Sequence, residues 1–119
     1  MKKTLVVGAS TNPGRYSNKA IRKLVANNIE TTAFGIRGGT VSDVQIKDNL
    51  SNFQNIDTVT LYLNPNHQKE YYQQIVDLKP RRVIFNPGTE NPEFYKILDL
   101  AGIEVDVACT LVLLSTGQY

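Results

Sequence analysis

The chain has one cysteine, one histidine, one methionine and no tryptophan in 119 residues. A single cysteine excludes an intrachain disulfide framework. One cysteine with one histidine is also too few soft ligands for a dedicated structural zinc site, so no metal is expected. A reducing compartment fits this usage. Long hydrophobic runs are missing as well. After Met1, Lys2 and Lys3 the apolar stretch Leu5-Val6-Val7 is cut off by Gly8, which is far too short for a signal-peptide core or a membrane span. The expectation is a cytoplasmic protein with no membrane partner. Charge of one sign is lacking too: 13 basic and 11 acidic residues leave a formal charge of +2. They are scattered, with Arg81-Arg82 as the densest internal pair, so there is no nucleic-acid footprint.

What is present reads as one folded domain spanning residues 1–119. The apolar fraction is 41% and the charged fraction 20%, ordinary values for a globular chain. Two units from so short a chain would be too small to bury separate cores. Thr4 to Val7 reads as a first strand, Gly8 to Gly14 as a loop, and Ser17 as the N-cap of a helix reaching about Asn27. Thr31 to Ile36 is a second strand, stopped by Arg37-Gly38-Gly39. Thr40 to Asn55 reads as irregular. Thr58 to Leu63 is a third strand without a polar face, as expected where helices cover both sides of a parallel sheet. Asn64-Pro65 starts a helix that extends to about Leu78, because proline at the first helical position gives up only an amide that would have no partner. Arg82 to Phe85 is a fourth strand, Asn91-Pro92 starts another helix, and Ile103, Val105 and Val107 make a fifth strand. Thr110 to Leu114 reads as a short helix packed on the sheet, since the four consecutive apolar residues from Leu111 to Leu114 should not be left in water. Strands alternating with helices imply right-handed crossovers. The expected fold is α/β, a Rossmann-like doubly wound parallel sheet of about five strands in three α/β/α layers.

In such sheets ligands bind beyond the carboxyl ends of the strands, and the first strand-to-helix turn usually lies there. Gly8 permits close approach, amides of the turn and of the first helical turn can cradle phosphate, and Ser10, Asn12 and Ser17 can add donors. The spacing is not the dinucleotide fingerprint, since Ser10 stands where a second glycine would be. Nor is it an ATPase phosphate loop, since no Gly-Lys-Ser/Thr follows Gly14. The second strand ends in Phe34-Gly35-Ile36-Arg37 with no acid for the ribose hydroxyls of NAD. Arg37 favours a phosphorylated ribose, with a solvated strand-end charge as the plain alternative. Arg15 is a phosphate clamp by its paired donors, or else a solvated loop residue. Cys109 reads as a small buried hydrophobe, or more sharply as a thiol near the ligand's reactive end. His67 reads as a solvated polar residue, and Tyr62 as a side chain that could border the pocket. Glu90 and Glu93 are explained as favourable charge at a helix start. No catalytic residue is assigned.

The string from Val7-Gly8-Ala9-Ser10 through Asn12-Pro13-Gly14-Arg15-Tyr16-Ser17, followed by an amphipathic helix, resembles the opening of the small CoA-binding-domain proteins. These are related to the nucleotide-binding domain of succinyl-CoA synthetase. The likeness continues through the strands ending at Asn64-Pro65 and Asn86-Pro87-Gly88 and the late strand running into Cys109. It implies CoA as the cofactor, with its phosphates at Gly8, Ala9, Ser10, Asn12, Pro13, Arg15 and Ser17. It also implies adenosine framed by residues 35–38 and by Leu63, Asn64 and Pro65. The chain departs from the usual family pattern at Gly35-Ile36-Arg37-Gly38-Gly39 and at Asp106-Val107-Ala108-Cys109. The resulting expectation is a CoA or acyl-CoA binding module without catalysis of its own, taking a small-molecule nucleotide ligand. Two alternatives stay open: a small NADP-dependent or other nucleotide-using enzyme completed by a homo-oligomer or partner protein, and an interaction protein with an unused pocket.

Overall fold

The computed structural model describes residues 2–119. Its strands are β1 (Lys3–Val7), β2 (Glu30–Phe34), β3 (Gly39–Val41), β4 (Val44–Lys47), β5 (Ile56–Leu61), β6 (Arg82–Phe85) and β7 (Glu104–Val107). They form one sheet in the order β3-β4-β2-β1-β5-β6-β7. Every neighbouring pair is parallel except β3 with β4. The helices are α1 (Tyr16–Ala26), α2 (Pro65–Gln68), α3 (Tyr72–Asp77), α4 (Pro92–Leu100) and α5 (Thr110–Ser115).

Alternation along β1 shows why the sheet has two covered faces. Leu5 and Val7 join Phe34, Val59, Leu61, Ile75, Phe85, Phe94 and Leu98 in one core, beneath α3 and α4. Val6 points the other way, into a core with Ile21, Leu24, Ala33, Ile46 and Leu114, beneath α1 and α5. Successive strand side chains face opposite sides, so a run of apolar residues requires a helix layer on each. The three-layer doubly wound fold follows from that patterning.

Seven strands replace the expected five or so, because the stretch read as irregular contains a hairpin. Thr40 pairs with Gln45 and Val41 with Val44 across a two-residue turn. The turn residues Ser42 and Asp43 have φ of 47° and 66°, the geometry that usually draws Asn-Gly. Ser-Asp carries no such signature, so the hairpin was hidden in the sequence. β4 then adds to the sheet beside β2, with Ala33 opposite Ile46. Leu50 and Phe53 pack into the first core around a 3₁₀ turn.

Boundaries also shift: the third strand, expected over Thr58 to Leu63, runs Ile56–Leu61 and leaves Tyr62 and Leu63 in the segment after it. Ser17 is not the N-cap of α1. Arg15 holds that position in extended geometry, φ −80° and ψ 143°, with no side-chain capping bond. The loop's own bonds dictate this, since Arg15 N donates to Asn12 O at 3.0 Å and Gly14 N to Asn12 Oδ1 at 2.9 Å. β2 stops at Phe34 and leaves Ile36 exposed. The helix begun at Asn64-Pro65 is broken by a 3₁₀ turn over Lys69–Tyr71. Tyr71 meets Phe34 edge-on at 5.2 Å while Tyr72 stacks on Phe94 at 4.3 Å. A regular helix rotates about 100° per residue, and the break lets both adjacent rings reach their partners. Among the described residues no helix is long and apolar enough to cross a membrane.

Candidate functional site

The chain leaves β1 for β2 on one side and returns to β5 on the other, so the carboxyl ends of β1 and β5 diverge at a switch of strand order. Ligands of open α/β sheets bind at such a point. A cleft of about 870 Å³ lies there, walled by the segments that follow β1, β2, β5 and β6. That volume suits a ligand of nucleotide size.

Gly8 forms the floor. Its φ is +91°, and a Cβ there would stand 3.0 Å from the Tyr62 carbonyl carbon and 3.1 Å from its oxygen. The Gly8 and Ala9 amides both donate to Phe34 O at 2.9 Å. They therefore tie β1 to β2 instead of facing an anion. Gly35 completes this junction, because a Cβ on it would lie 2.5 Å from Ala9 O. Ser10 Oγ accepts from Asn12 N at 3.1 Å, which leaves its proton for another acceptor. The donors left toward the cleft are concentrated at the start of α1. The first amides of a helix lack intrahelical partners, and no side chain caps them here.

Of the residues singled out in the sequence, Gly8, Ala9, Ser10, Asn12, Arg15, Ser17, Arg37 and Asn64 line the cleft. Pro13 and Pro65 do not. Pro13 O accepts from Arg22 Nη2 at 3.3 Å, and Pro65 begins α2. Cys109 is half-buried at the N-cap of α5, outside the cleft wall. His67 is exposed, as read, and stands in the wall together with Phe34, Glu70 and Tyr71. Tyr16 and Ile36 stand at its rim, 67% and 83% exposed.

Asn18, in the first turn of α1, is a site residue that the sequence reading does not single out. It is buried. Its Nδ2 donates to Ser10 O at 2.9 Å and its Oδ1 accepts from Arg22 Nε at 2.8 Å. Asn18 and Arg22 thus fasten the first loop to α1. An asparagine four residues ahead of an arginine, just after a glycine loop, was the available signal.

The charges of the wall are mixed: Arg15 and Arg37 enter from the β1 and β2 sides, and Glu70 from the segment after α2. Burial pushes the Tyr62 phenol up to about 12, and the nearby Thr110 and Thr60 hydroxyls pull the other way, although they bond to one another at 2.8 Å and neither meets the phenol in hydrogen-bond geometry. Its hydroxyl is buried without a hydrogen-bond partner. Tyr62 therefore stays protonated at neutral pH. His67 Nδ1 lies 3.3 Å from Asn64 Nδ2, and Asn64 Oδ1 accepts from His67 N at 3.1 Å. The ring is thus engaged with an amide and not with a nucleophile. Among the described residues no group of three His, Cys, Asp or Glu side chains is placed to hold a metal ion.

Sheet order, glycine floor and open helix start define a doubly wound α/β domain with a ligand cleft at its switch point. A solved structure described only as an uncharacterized protein is 44% identical, with 100% of this chain and 98% of that one covered, at TM-score 0.96. A hypothetical protein from Pyrococcus horikoshii OT3 is 25% identical over 97% of this chain and 82% of its own, at TM-score 0.88. Cell-free ID.343 from Thermus thermophilus, 22% identical, covers 99% of this chain and 90% of its own at TM-score 0.88, a likeness of fold. No curated protein matches. The CoA binding domain family matches residues 2–115, and the chain belongs to it.

Proposed function

We propose that the protein binds CoA or an acyl-CoA in this cleft, as a cytoplasmic binding module without catalysis of its own. The observation that carries the reading is the start of α1, which opens uncapped at the switch-point cleft beneath a glycine floor. Aligned peptide dipoles and free amides make such a terminus favourable for a pyrophosphate. Arg15 adds a charged fork, and Ser10, Asn12 and Ser17 add polar side chains from the same loop and turn. Gly8, Ala9 and Pro13 act through backbone shape, because their side chains offer no donor.

Adenosine would lie between Gly35-Ile36-Arg37 and the Leu63-Asn64 corner, with Ile36 and Tyr16 offering exposed apolar surface at the rim. The end of β2 has no acid for an unmodified ribose, whereas Arg37 suits a ribose phosphate. His67, in the wall, is engaged with the Asn64 side chain.

Titration calorimetry of ligand-free protein with CoA, dephospho-CoA, NAD and NADP tests this directly. CoA is expected to bind most tightly, and Arg37→Ala is expected to weaken CoA by about tenfold while changing dephospho-CoA far less. Tighter binding of NADP or NAD than of CoA would overturn the assignment. Equal losses for the two CoA forms would remove the ribose-phosphate role from Arg37.

A further inference from the structure

Gln68, at the end of α2, has 0% of its surface exposed although it carries a primary amide. Its Nε2 donates to Leu63 O at 2.9 Å and to Thr89 O at 2.8 Å. Its Oε1 accepts from Asn91 Nδ2 at 2.9 Å. Both protons of the amide nitrogen are therefore used, and the oxygen is engaged as well. The two carbonyls belong to different walls of the cleft, Leu63 following β5 and Thr89 lying in the loop after β6. A single nitrogen atom thus holds the two walls at hydrogen-bond distance from one point.

Asn91 extends the arrangement. Its Oδ1 caps α4 by accepting from Phe94 N at 3.3 Å, and its Nδ2 also donates to Tyr72 Oη at 2.7 Å. The Tyr72 hydroxyl donates in turn to Glu93 Oε1 at 3.1 Å. Every polar group around Gln68 is already committed, so a shift of the amide would strand buried partners at a substantial free-energy penalty. Wall separation is consequently stiff. A shaped site depends on such supports, because small displacements of binding groups lose affinity out of proportion to the movement.

We propose that Gln68 is a positioning residue that fixes the spacing between the Leu63 and Pro87–Thr89 walls and thereby sets the cleft's affinity for its ligand. The affinity part rests on the CoA reading above; the wall spacing does not. Gln68→Met retains length and bulk but removes both donors and the acceptor. Gln68→Glu retains shape and sets a carboxylate against two carbonyl oxygens. Leu98→Ala serves as the comparison for lost stability alone, because Leu98 is fully buried in α4 and outside the cleft wall.

CoA titrations well below each unfolding midpoint are expected to show affinity falling by about tenfold or more in both Gln68 variants. Leu98→Ala should unfold earlier yet bind as the parent does. Amide exchange at Thr89, whose N–H donates to Asn86 O at 3.0 Å, should accelerate in the Gln68 variants and not in Leu98→Ala. If Gln68→Met does not fold, Gln68→Glu decides: its affinity relative to the parent should recover as pH falls and the acid regains a proton to donate. Parent-like affinity in folded Gln68 variants would overturn the positioning role. If the parent itself fails to bind CoA, the ligand reading falls instead. The Thr89 exchange rates then decide the wall spacing alone, unchanged rates refuting it.

Discussion

A side chain at position 8 would meet the backbone of the β5 exit before it met any ligand. The Cβ of an alanine would stand 3.0 Å from the Tyr62 carbonyl carbon, at a φ of +91° that L side chains rarely adopt. Backbone cannot rotate away as a flexible side chain can, so β1 and β5 must separate or the turn must rebuild. Gly8→Ala is expected to destabilise the protein by about 1–3 kcal/mol, the usual range for a strained backbone position. CoA affinity of the folded fraction should fall with it. Chemical denaturation followed by calorimetry on the folded variant checks both; an unchanged denaturation midpoint would contradict the close approach. Gly8 was legible from sequence as a glycine following an apolar strand. What its amide does was not: that bond to Phe34 O depends on β2 lying alongside, which local sequence does not encode.

Punctuation made two helix starts readable, the apolar run Leu111–Leu114 made α5 readable without it, and two other features escaped. Asn64-Pro65 and Asn91-Pro92 carry a capping amide and a proline that needs no amide partner, and both begin helices where expected, with Asn64 and Asn91 accepting from His67 N and Phe94 N. The β3–β4 hairpin escaped because its turn is Ser-Asp, and the break before Tyr72 escaped because aromatic packing across the sheet decides it. Asn86 shows how such elements are joined at the cleft end of the sheet. It is 1% exposed, and its Nδ2 donates to Thr60 Oγ1 at 2.7 Å and Leu61 O at 2.8 Å. Its Oδ1 accepts from Thr110 N at 2.8 Å, at the first turn of α5. One side chain therefore links β6, β5 and α5. Asn86→Ala leaves a buried amide and a buried carbonyl short of partners, a loss of about 1–3 kcal/mol for each group left unsatisfied. Urea denaturation is expected to show that loss with an unchanged slope, since the surface exposed on unfolding hardly changes. A shift of less than about 0.5 kcal/mol, the size typical of surface substitutions, would mean that β5 and α5 are held together by packing alone.

Across the whole molecule, buried phenols set how the fold responds to alkali. Burial pushes Tyr62 up to about 12 from an ordinary 10.0, with the Thr110 and Thr60 hydroxyls opposing. Tyr119 is also raised, mainly by burial. Its hydroxyl bonds to that of Thr4 and its ring lies 4.7 Å from the Arg82 guanidinium, so the last residue closes against β1 and β6. A raised folded-state pKa means that the native protein holds its proton after the unfolded chain has released it. The resulting stability is complete below the unfolded value of 10.0 and is lost as pH climbs through about 12. The two phenols pack against the same core, on the α1/α5 face of the sheet, and charge on Tyr119 pushes Tyr62 up further, so their ionisation falls on one region of the fold. Tyr62→Phe removes the titrating proton together with a hydroxyl that is buried without a partner, and burial of such a group is unfavourable. The variant is therefore expected to be at least as stable as the parent at pH 7. Its unfolding midpoint should also fall less steeply than the parent's above pH 10.0. Tyr119→Phe should flatten the alkaline slope as well, but lower the midpoint at neutral pH, because it breaks the bond to Thr4. Thermal scans of the three proteins from neutral to strongly alkaline pH decide the matter: parallel curves would show that neither phenol carries the alkaline loss, and a lower neutral midpoint for Tyr62→Phe would show that its hydroxyl is satisfied after all.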